Sequence, residues 1–297
     1  MTRWFLRIFF ACLLFAQVAA GQSVRYAGSV GTAPIELTLM ESVNGHIGGV
    51  YTYTRFGTPI GLSGTLKQGL LQLTERNSLG KISASLTITD FAATNETATG
   101  TWKDLATGRQ LPLVLTRLPG GGTEPLTASG GHELLQAASL PNTYFKIVLA
   151  GNSDDYNGQV TAVRLVEKRT NRLVQELAVA SQSHGLNTVQ VGDYNFDGHP
   201  DFEVFESSYA GPNTSSFYFL YNPLTKRYVD SGFTGTSLEF DARSKRIYET
   251  NSCCAGSSVV RNEYKVVRNR MVLVAEHCYR WDDKKQELVE RKPSACQ

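Results

Sequence analysis

The sequence has little of what enzymes commonly use for catalysis. Its five histidines lie at positions 46, 132, 184, 199 and 277, and no two have the spacing of a metal-binding pair. The serine-hydrolase motif GxSxG, the zinc-protease motif HExxH and the phosphate-binding motif GxxxxGK[ST] are all absent. Carboxylates are plentiful, but their spacing identifies no catalytic pair. We therefore expect a protein that is not an enzyme.

The chain also lacks an excess of either charge. It contains 29 Lys and Arg against 27 Asp and Glu, and two of the cations, Arg3 and Arg7, lie in the first 21 residues. Without them the formal charge is zero, which leaves no basic surface to attract nucleic acid. With 41% hydrophobic residues the chain is too apolar for wholesale disorder.

The composition is that of a β-rich protein, with 14 Phe, 13 Tyr, 27 Gly and only three Met. Between Val24 and Leu118, short runs of alternating apolar and polar residues are separated by turn residues, which predicts a small β-barrel or sandwich. From Tyr144 onward the runs are longer and more aromatic, and hairpin turns separate them. This second part is predicted to be an antiparallel meander, so the fold class is all-β.

A cluster of proline and glycine between Pro119 and Pro125, followed by a second at 129–131, predicts a domain boundary. The predicted units are an N-terminal β domain at 21–118, a linker at 119–140 and a C-terminal calcium-binding β domain at 141–297. Outside the first 20 residues, one short helix is predicted, from His132 to Leu140.

The first 20 residues have the anatomy of an export signal. Arg3 and Arg7 give a basic start, an apolar run extends to Ala16, and Val18 and Ala20 are suited to the −3 and −1 positions of a cleavage site. A retained anchor is the alternative, although the run is short for a membrane helix. We expect a periplasmic or secreted protein with no membrane span after cleavage.

Cysteine usage agrees with export. Cys253, Cys254, Cys278 and Cys296 all lie in the last 45 residues, and an even number in an exported chain predicts two disulfides. A bond between the neighbouring Cys253 and Cys254 requires a strained ring. We therefore expect each of these two to pair with Cys278 or Cys296, in either order.

The sharpest motif is a nine-residue loop that predicts a calcium site. Oxygen-bearing side chains occupy its first, third, fifth and ninth positions, with glycine at the sixth and His199 at the seventh, where a main-chain carbonyl normally binds. Three carboxylates and one amide suit Ca²⁺, which prefers oxygen ligands. The predicted ligands are Asp193, Asn195, Asp197, His199 through its carbonyl oxygen, and Asp201.

The loop differs from an EF-hand in two ways. Val204 occupies the twelfth position in place of a bidentate glutamate, and the flanking segments are predicted strands. Glu203 shares the face of Asp201 and is a candidate for a further oxygen ligand. The alternative is a solvated hairpin rich in Asp and Asn. The earlier loop from Asn152 to Gly158 lacks the ligand spacing and is predicted to be a turn.

The loop resembles those of FG-GAP/VCBS repeats, and the wider segment 187–229 resembles a family of small periplasmic calcium-binding proteins. That family inhibits lysozyme-like effectors, includes immunity proteins against peptidoglycan hydrolases, and is similar to the i-type lysozyme inhibitors. The resemblance implies a propeller-like β domain without catalysis, which inhibits through a protruding loop that enters the hydrolase cleft. It covers 144–290 loosely and does not extend to 24–118.

The candidate inhibitory loop is Ser207–Ser216, and its predicted partner-binding residues are Ser208, Tyr209, Gly211, Asn213 and Ser215. An ordinary polar hairpin is the alternative. The function that follows is an exported, calcium-binding inhibitor or immunity protein whose partner is a lysozyme-like hydrolase. The alternative function is a cell-surface module that binds polysaccharide or protein. A row of Tyr and Trp on a sheet face favours glycan binding, whereas a lone Tyr on a protruding loop favours inhibition.

Overall fold

The computed structural model describes residues 23–41, 45–76, 80–118, 132–150 and 158–296. The predicted export signal, the proline and glycine cluster at 119–131 and all but the last residue of the predicted turn Asn152–Gly158 lie outside these residues. Strands make up 65% of the described chain and helical turns only 4%, so the all-β prediction is confirmed. Within it, no helix is both long and apolar enough to cross a membrane.

The first eight strands form a closed antiparallel barrel, in which β1 pairs with both β2 and β8. Glycine permits the close strand contacts of this closure. A Cβ atom on Gly28 would lie 2.1 Å from the carbonyl oxygen of Val114, and one on Gly64 would lie 1.8 Å from that of Gln72. The strands are β1 (Ser23–Val30), β2 (Ala33–Glu41), β3 (His46–Tyr53), β4 (Ile60–Lys67), β5 (Leu70–Arg76), β6 (Ile82–Ile88), β7 (Thr97–Asp104) and β8 (Gln110–Arg117).

Three antiparallel meanders follow the barrel, two of four strands and one of five. In each sheet the strands lie side by side in chain order, as expected when short hairpins connect them. The first sheet contains β9 (His132–Ser139), β10 (Thr143–Leu149), β11 (Gln159–Glu167) and β12 (Leu173–Gln182). The second contains β13 (Val189–Gly192), β14 (Asp201–Ser208), β15 (Thr214–Asn222) and β16 (Arg227–Asp230). The third contains β17 (Glu239–Asp241), β18 (Arg246–Cys253), β19 (Ser258–Val267), β20 (Arg270–Asp282) and β21 (Glu287–Arg291).

The helix predicted from His132 to Leu140 is wrong, because most of this segment is strand β9, paired with β10. The strand lies within the predicted linker 119–140. Gln136 explains part of the preference for a strand over a helix. It is fully buried, and its side chain forms hydrogen bonds with the backbone of Gly185 and Val189, next to the start of the second sheet. Pairing and burial in the folded chain therefore override the local helical pattern.

The predicted disulfide pairing is also wrong. Cys278 is bonded to Cys296, with Cα atoms 5.8 Å apart, and Cys253 is bonded to Cys254. Strand β19 lies between the strands that carry Cys253 and Cys278. Two strand spacings separate them by about 9.5 Å, beyond the roughly 7 Å that a disulfide spans between Cα atoms. Since Cys296 is already bonded to Cys278, Cys253 and Cys254 bond to each other.

Half-buried charges join the barrel to the first sheet. Lys146 on β10 forms ion pairs with Glu36 of the barrel at 3.0 Å and with Glu133 on β9 at 3.2 Å. Glu133 also pairs with Arg164 on β11, and its carbonyl oxygen accepts a hydrogen bond from Arg25 of the barrel at 2.6 Å. Apolar contacts continue this junction, because barrel residues belong to the core cluster of the first two sheets.

The pKa values of the central pair follow from this setting. Burial alone raises the pKa of Glu133, but Lys146 and Arg164 outweigh it and hold that pKa below its ordinary value. Burial likewise acts to lower the pKa of Lys146, and the charges of Glu36 and Glu133 reverse the effect and raise it. Both groups are therefore charged at neutral pH.

We predict that Glu133→Gln destabilises the protein by about 1–3 kcal/mol at pH 7. The substitution removes one of the two carboxylates that pair with Lys146 and one of the two that pair with Arg164. A depressed carboxyl pKa stabilises the fold above the ordinary carboxyl value, and this contribution is lost as the pH falls through the folded-state pKa. Urea unfolding at pH 7 and at about pH 3 should therefore show a large difference between variant and wild type at pH 7 and a smaller one in acid. An equal difference at both values would contradict the assignment.

Candidate functional site

The predicted calcium loop joins β13 to β14, so both of its flanks are strands as the sequence indicated. The backbone turns sharply within it. Phe196 and Gly198 both have positive φ angles, of 63° and 88°. At position 198 the glycine avoids the backbone strain that a residue with a side chain would have at this φ.

Side chains of the loop close it by binding its own backbone. The carboxylate of Asp193 accepts hydrogen bonds from the amides of Asp197 at 3.0 Å and Gly198 at 2.9 Å. Asp197 accepts the amide of His199 at 2.8 Å and the side-chain amide of Asn195 at 2.9 Å. These bonds bring the acidic side chains of the loop to the inside of one short turn.

Asp201 is the most constrained of the predicted ligands, since it is fully buried at the first position of β14. One of its oxygens accepts the backbone amide of Tyr194 at 3.0 Å, and the other accepts that of Tyr221 at 2.7 Å. Burial raises the pKa of Asp201 to about 6, the charges of Asp197 and Asp193 add to the rise, and the two amide hydrogen bonds oppose it. Its carboxylate thus ties the loop to β15 while its charge is poorly compensated.

The donor set of the loop fits a hard cation. Four side chains supply carboxylate or amide oxygens, and a carboxylate that accepts one or two amide hydrogen bonds still has free lone pairs. In the present geometry these oxygens face the backbone: across the described residues, no three His, Cys, Asp or Glu side chains converge closely enough to hold a metal ion. The imidazole of His199 is exposed and lies beside the ring of Tyr221, with centroids 5.6 Å apart, so only its main-chain carbonyl remains a candidate ligand.

Residues far away in the sequence brace the loop, and no motif marks them. Lys245 donates to the carbonyl oxygen of Phe196 at 3.2 Å, and Asn195 donates to Asn269 in the turn between β19 and β20, also at 3.2 Å. Tyr228 donates to the carbonyl oxygen of Pro200 at 3.0 Å. Such contacts depend on the packing of the second and third sheets, which no local pattern encodes.

Glu203, the candidate for a further ligand, is engaged elsewhere. Its carboxylate is hydrogen-bonded to the side chains of Tyr218 and Ser216 on the neighbouring strand, and burial raises its pKa. It lines a polar groove of about 250 Å³ along the hairpin, together with His184 and Phe205. The structure therefore places Glu203 beside this groove.

The segment Ser207–Ser216 is a tighter hairpin than the ten-residue loop that the sequence predicted. Strands β14 and β15 stay paired up to Ser208 opposite Thr214, and the amide of Tyr209 donates to the carbonyl oxygen of Asn213 at 2.8 Å. Only the residues between Tyr209 and Asn213 form the tip. Ser208, Tyr209 and Gly211 are exposed there, with Tyr209 54% accessible.

Two of the predicted partner-binding residues have other roles. Asn213 is buried: its side chain donates to the carbonyl oxygen of Ser252 on β18 at 2.7 Å and accepts the amide of Ser252 at 3.0 Å. It therefore anchors the hairpin tip to the third sheet, and its contact with a partner stays a prediction. Ser215 is half-buried, and its hydroxyl donates to that of Tyr209 at 3.1 Å, which orients the exposed ring.

No family model matches this chain, and no curated protein matches its sequence. Among solved structures, it is similar to a Xanthomonas type IV secretion system related protein, with 15% identity, a TM-score of 0.37, and coverage of 57% of this chain and 98% of that one. It is also similar to an oligogalacturonate lyase in complex with manganese, at 9% identity and a TM-score of 0.28 over 89% and 88% of the two chains. An oligogalacturonate lyase from Vibrio parahaemolyticus matches at 8% identity and a TM-score of 0.25, over 91% and 90%. These scores are too low to carry an argument about this chain.

We predict that Asn213→Ala destabilises the protein by about 1–2 kcal/mol, because the amide and carbonyl of Ser252 both lose their partner. Amide hydrogen exchange should also become faster at Tyr209 and at neighbouring positions of the tip. Asn222→Ala is the matched control, since Asn222 caps only the exposed turn at the other end of β15. Unchanged exchange at the tip in Asn213→Ala would contradict the anchoring role.

Proposed function

We propose that this chain is an exported, calcium-binding, non-catalytic protein that inhibits a lysozyme-like peptidoglycan hydrolase. In this proposal the β14–β15 hairpin enters the glycan cleft of the enzyme, and Tyr209 at its tip occupies a sugar subsite. The observation that carries the proposal is this exposed Tyr on a hairpin that is fixed at both ends. It fits the expectation that a lone Tyr on a projecting element favours inhibition.

The two anchors of the hairpin support the proposal. At the base, Asp201 joins the loop to Tyr221 through hydrogen bonds to the backbone, and at the tip Asn213 bonds to Ser252. An element that is already ordered loses little conformational entropy on binding, so more of its contact energy becomes affinity. The hydrogen bond from Ser215 further limits the orientations of the Tyr209 ring.

Calcium has a structural role in this proposal. The side chains of Asp193, Asn195, Asp197 and Asp201 and the main-chain carbonyl of His199 would hold it. When bound, the ion supplies positive charge to a loop whose buried carboxylate otherwise lacks compensation. The protein itself supplies the other constraints. Asp201 connects β14 to β15, and hydrogen bonds within the loop keep its backbone turned.

Location outside the cytoplasm belongs to the same proposal. The basic and apolar N-terminus is typical of an export signal, and disulfides such as the two in the last 45 residues are typical of an oxidising compartment. A peptidoglycan hydrolase acts in the same place, so inhibitor and enzyme would meet there.

We predict that calcium raises the melting temperature of chelator-treated protein. A ligand that binds only the folded state at one hundred times its Kd adds about 2.7 kcal/mol to the free energy of unfolding. Asp197→Ala should abolish the increase, whereas Asp230→Ala, which removes a turn aspartate outside the loop, should retain it. An unchanged melting temperature of the wild type in millimolar calcium would contradict the calcium site.

We also predict that the protein inhibits one or more muramidases in a turbidity assay against c-type, g-type, i-type and bacterial enzymes. Tyr209→Ala should weaken that inhibition by about 2 kcal/mol or more, as expected for a buried aromatic anchor. Leu224→Ala is the matched control, because Leu224 is 93% exposed at the tip of the neighbouring β15–β16 hairpin.

The calcium response of Tyr209→Ala should equal that of the wild type, which separates loss of the contact residue from loss of the fold. Failure to inhibit any of these enzymes at micromolar concentration would reject the proposed partner class. Equal inhibition by Tyr209→Ala and wild type would reject the hairpin as the inhibitory element.

A further inference from the structure

The third sheet carries a row of aromatic rings along β20. His277, Tyr279 and Trp281 are spaced two residues apart after the bulge in this strand, so their side chains lie on the same face of the sheet. The rings of His277 and Tyr279 are stacked, with centroids 6.4 Å apart and planes at 25°. Trp281 is 43% exposed at the end of the row. We call these three residues the ring ladder.

His277 and Tyr279 of the ring ladder line a groove of about 340 Å³. Trp281 is not part of its lining and continues the row on the same face of the sheet. The strand register places Thr250 opposite Arg261 and Arg261 opposite His277, which brings groups from β18, β19 and β20 onto one line across the sheet. Tyr248 and Glu263 lie opposite each other on the adjacent line and also face the groove. The surface thus combines aromatic rings with hydroxyl, guanidinium and carboxylate groups at short range.

An ion pair and a hydrogen bond fix the orientation of two of these polar groups. Glu263 is held by Arg246 at 2.8 Å, and His277 is bonded to Glu290 at 2.7 Å. Arg261 is exposed and forms no ion pair within the described part of the chain. Its planar guanidinium therefore offers several donors beside the acceptor oxygens of Glu263.

Two constraints hold the ring ladder in place. Cys278 lies between His277 and Tyr279 in the sequence but points to the opposite face, where it is buried and bonded to Cys296. At the end of the row, the amide of Trp281 donates to the carbonyl oxygen of Ser257 at 2.8 Å, next to the turn that contains the bonded pair Cys253 and Cys254. The platform is therefore ordered before any ligand arrives.

We propose that this groove binds an uncharged oligosaccharide. The C–H faces of pyranose rings would pack on Tyr279 and Trp281, while neighbouring sugar hydroxyls donate to Glu263 and accept from Arg261. Aromatic side chains supply a large apolar contact area, and a carboxylate beside a guanidinium matches a pair of adjacent hydroxyls, which both donate and accept. Because Glu239 and Glu263 line the groove as well as Arg261, a polyanion is a poorer fit than a neutral chain.

This site is independent of the hairpin function. The ring ladder belongs to the third sheet and Tyr209 to the second, and the two surfaces share no residue. Glycan binding would keep the protein at a cell wall or another polysaccharide while the hairpin stays available for a protein partner.

The test is a titration of the full chain with cellotetraose, chitotetraose and laminaritetraose, in which binding is measured by calorimetry and by tryptophan fluorescence. At least one of the three should bind and change the fluorescence. The fluorescence change should persist in Trp102→Phe, which replaces a tryptophan of the barrel, and it should disappear in Trp281→Phe. Tyr279→Ala and Arg261→Ala should each weaken binding by about tenfold, and Tyr209→Ala should leave it unchanged.

Three results would overturn the proposal. The first is no binding of any of the three tetrasaccharides up to about 10 mM, where a weak glycan site would still be detected. The second is binding that survives Tyr279→Ala, Trp281→Phe and Arg261→Ala alike in folded proteins with wild-type melting temperatures. The third is tighter binding of tetragalacturonate that is lost on adding salt, because it would assign the groove to an anionic ligand.

Discussion

The arrangement of the second sheet depends on one buried carboxylate. Asp201 accepts the amides of Tyr194 and Tyr221 and so connects the loop, the start of β14 and the end of β15. A buried negative charge is costly unless it is compensated, and here the nearest charges, those of Asp193 and Asp197, are also negative. The same group that fixes the hairpin base therefore creates the demand for a cation. Calcium binding and hairpin rigidity are, on this account, two consequences of one residue.

The hairpin also depends on the third sheet, because Asn213 fixes its tip to β18. That sheet in turn contains both disulfides and the ring ladder. The second and third sheets together therefore carry both of the proposed binding surfaces. The hairpin tip presents a single exposed Tyr suited to a cleft, whereas the ring ladder presents a shallow platform suited to an extended chain. The two functions that the sequence raised as alternatives are thus proposed for separate places on the molecule.

Local patterns in the sequence predicted the strand class and the strand–loop–strand setting of Asp193–Asp201, because alternation and turn residues act over a few positions. For the first eight strands they left a barrel and a sandwich open, and the structure shows the barrel. They failed where distant segments decide the outcome. The segment after His132 became β9 because β10 and the buried partners of Gln136 were available. The cysteines paired differently because β19 separates Cys253 from Cys278. The anchoring role of Asn213 and the ring ladder likewise arise only once the sheets are stacked, and no motif marks them.

The most direct test of the account is a crystal structure of the protein grown with calcium chloride. The account predicts an ion in the loop, bound by side-chain oxygens of Asp193, Asn195, Asp197 and Asp201 and by the carbonyl oxygen of His199, at about 2.3–2.6 Å from each. Asp201 should retain its hydrogen bond to Tyr221. A loop that contains only water in saturating calcium, with its carboxylates still bonded to backbone amides alone, would contradict it.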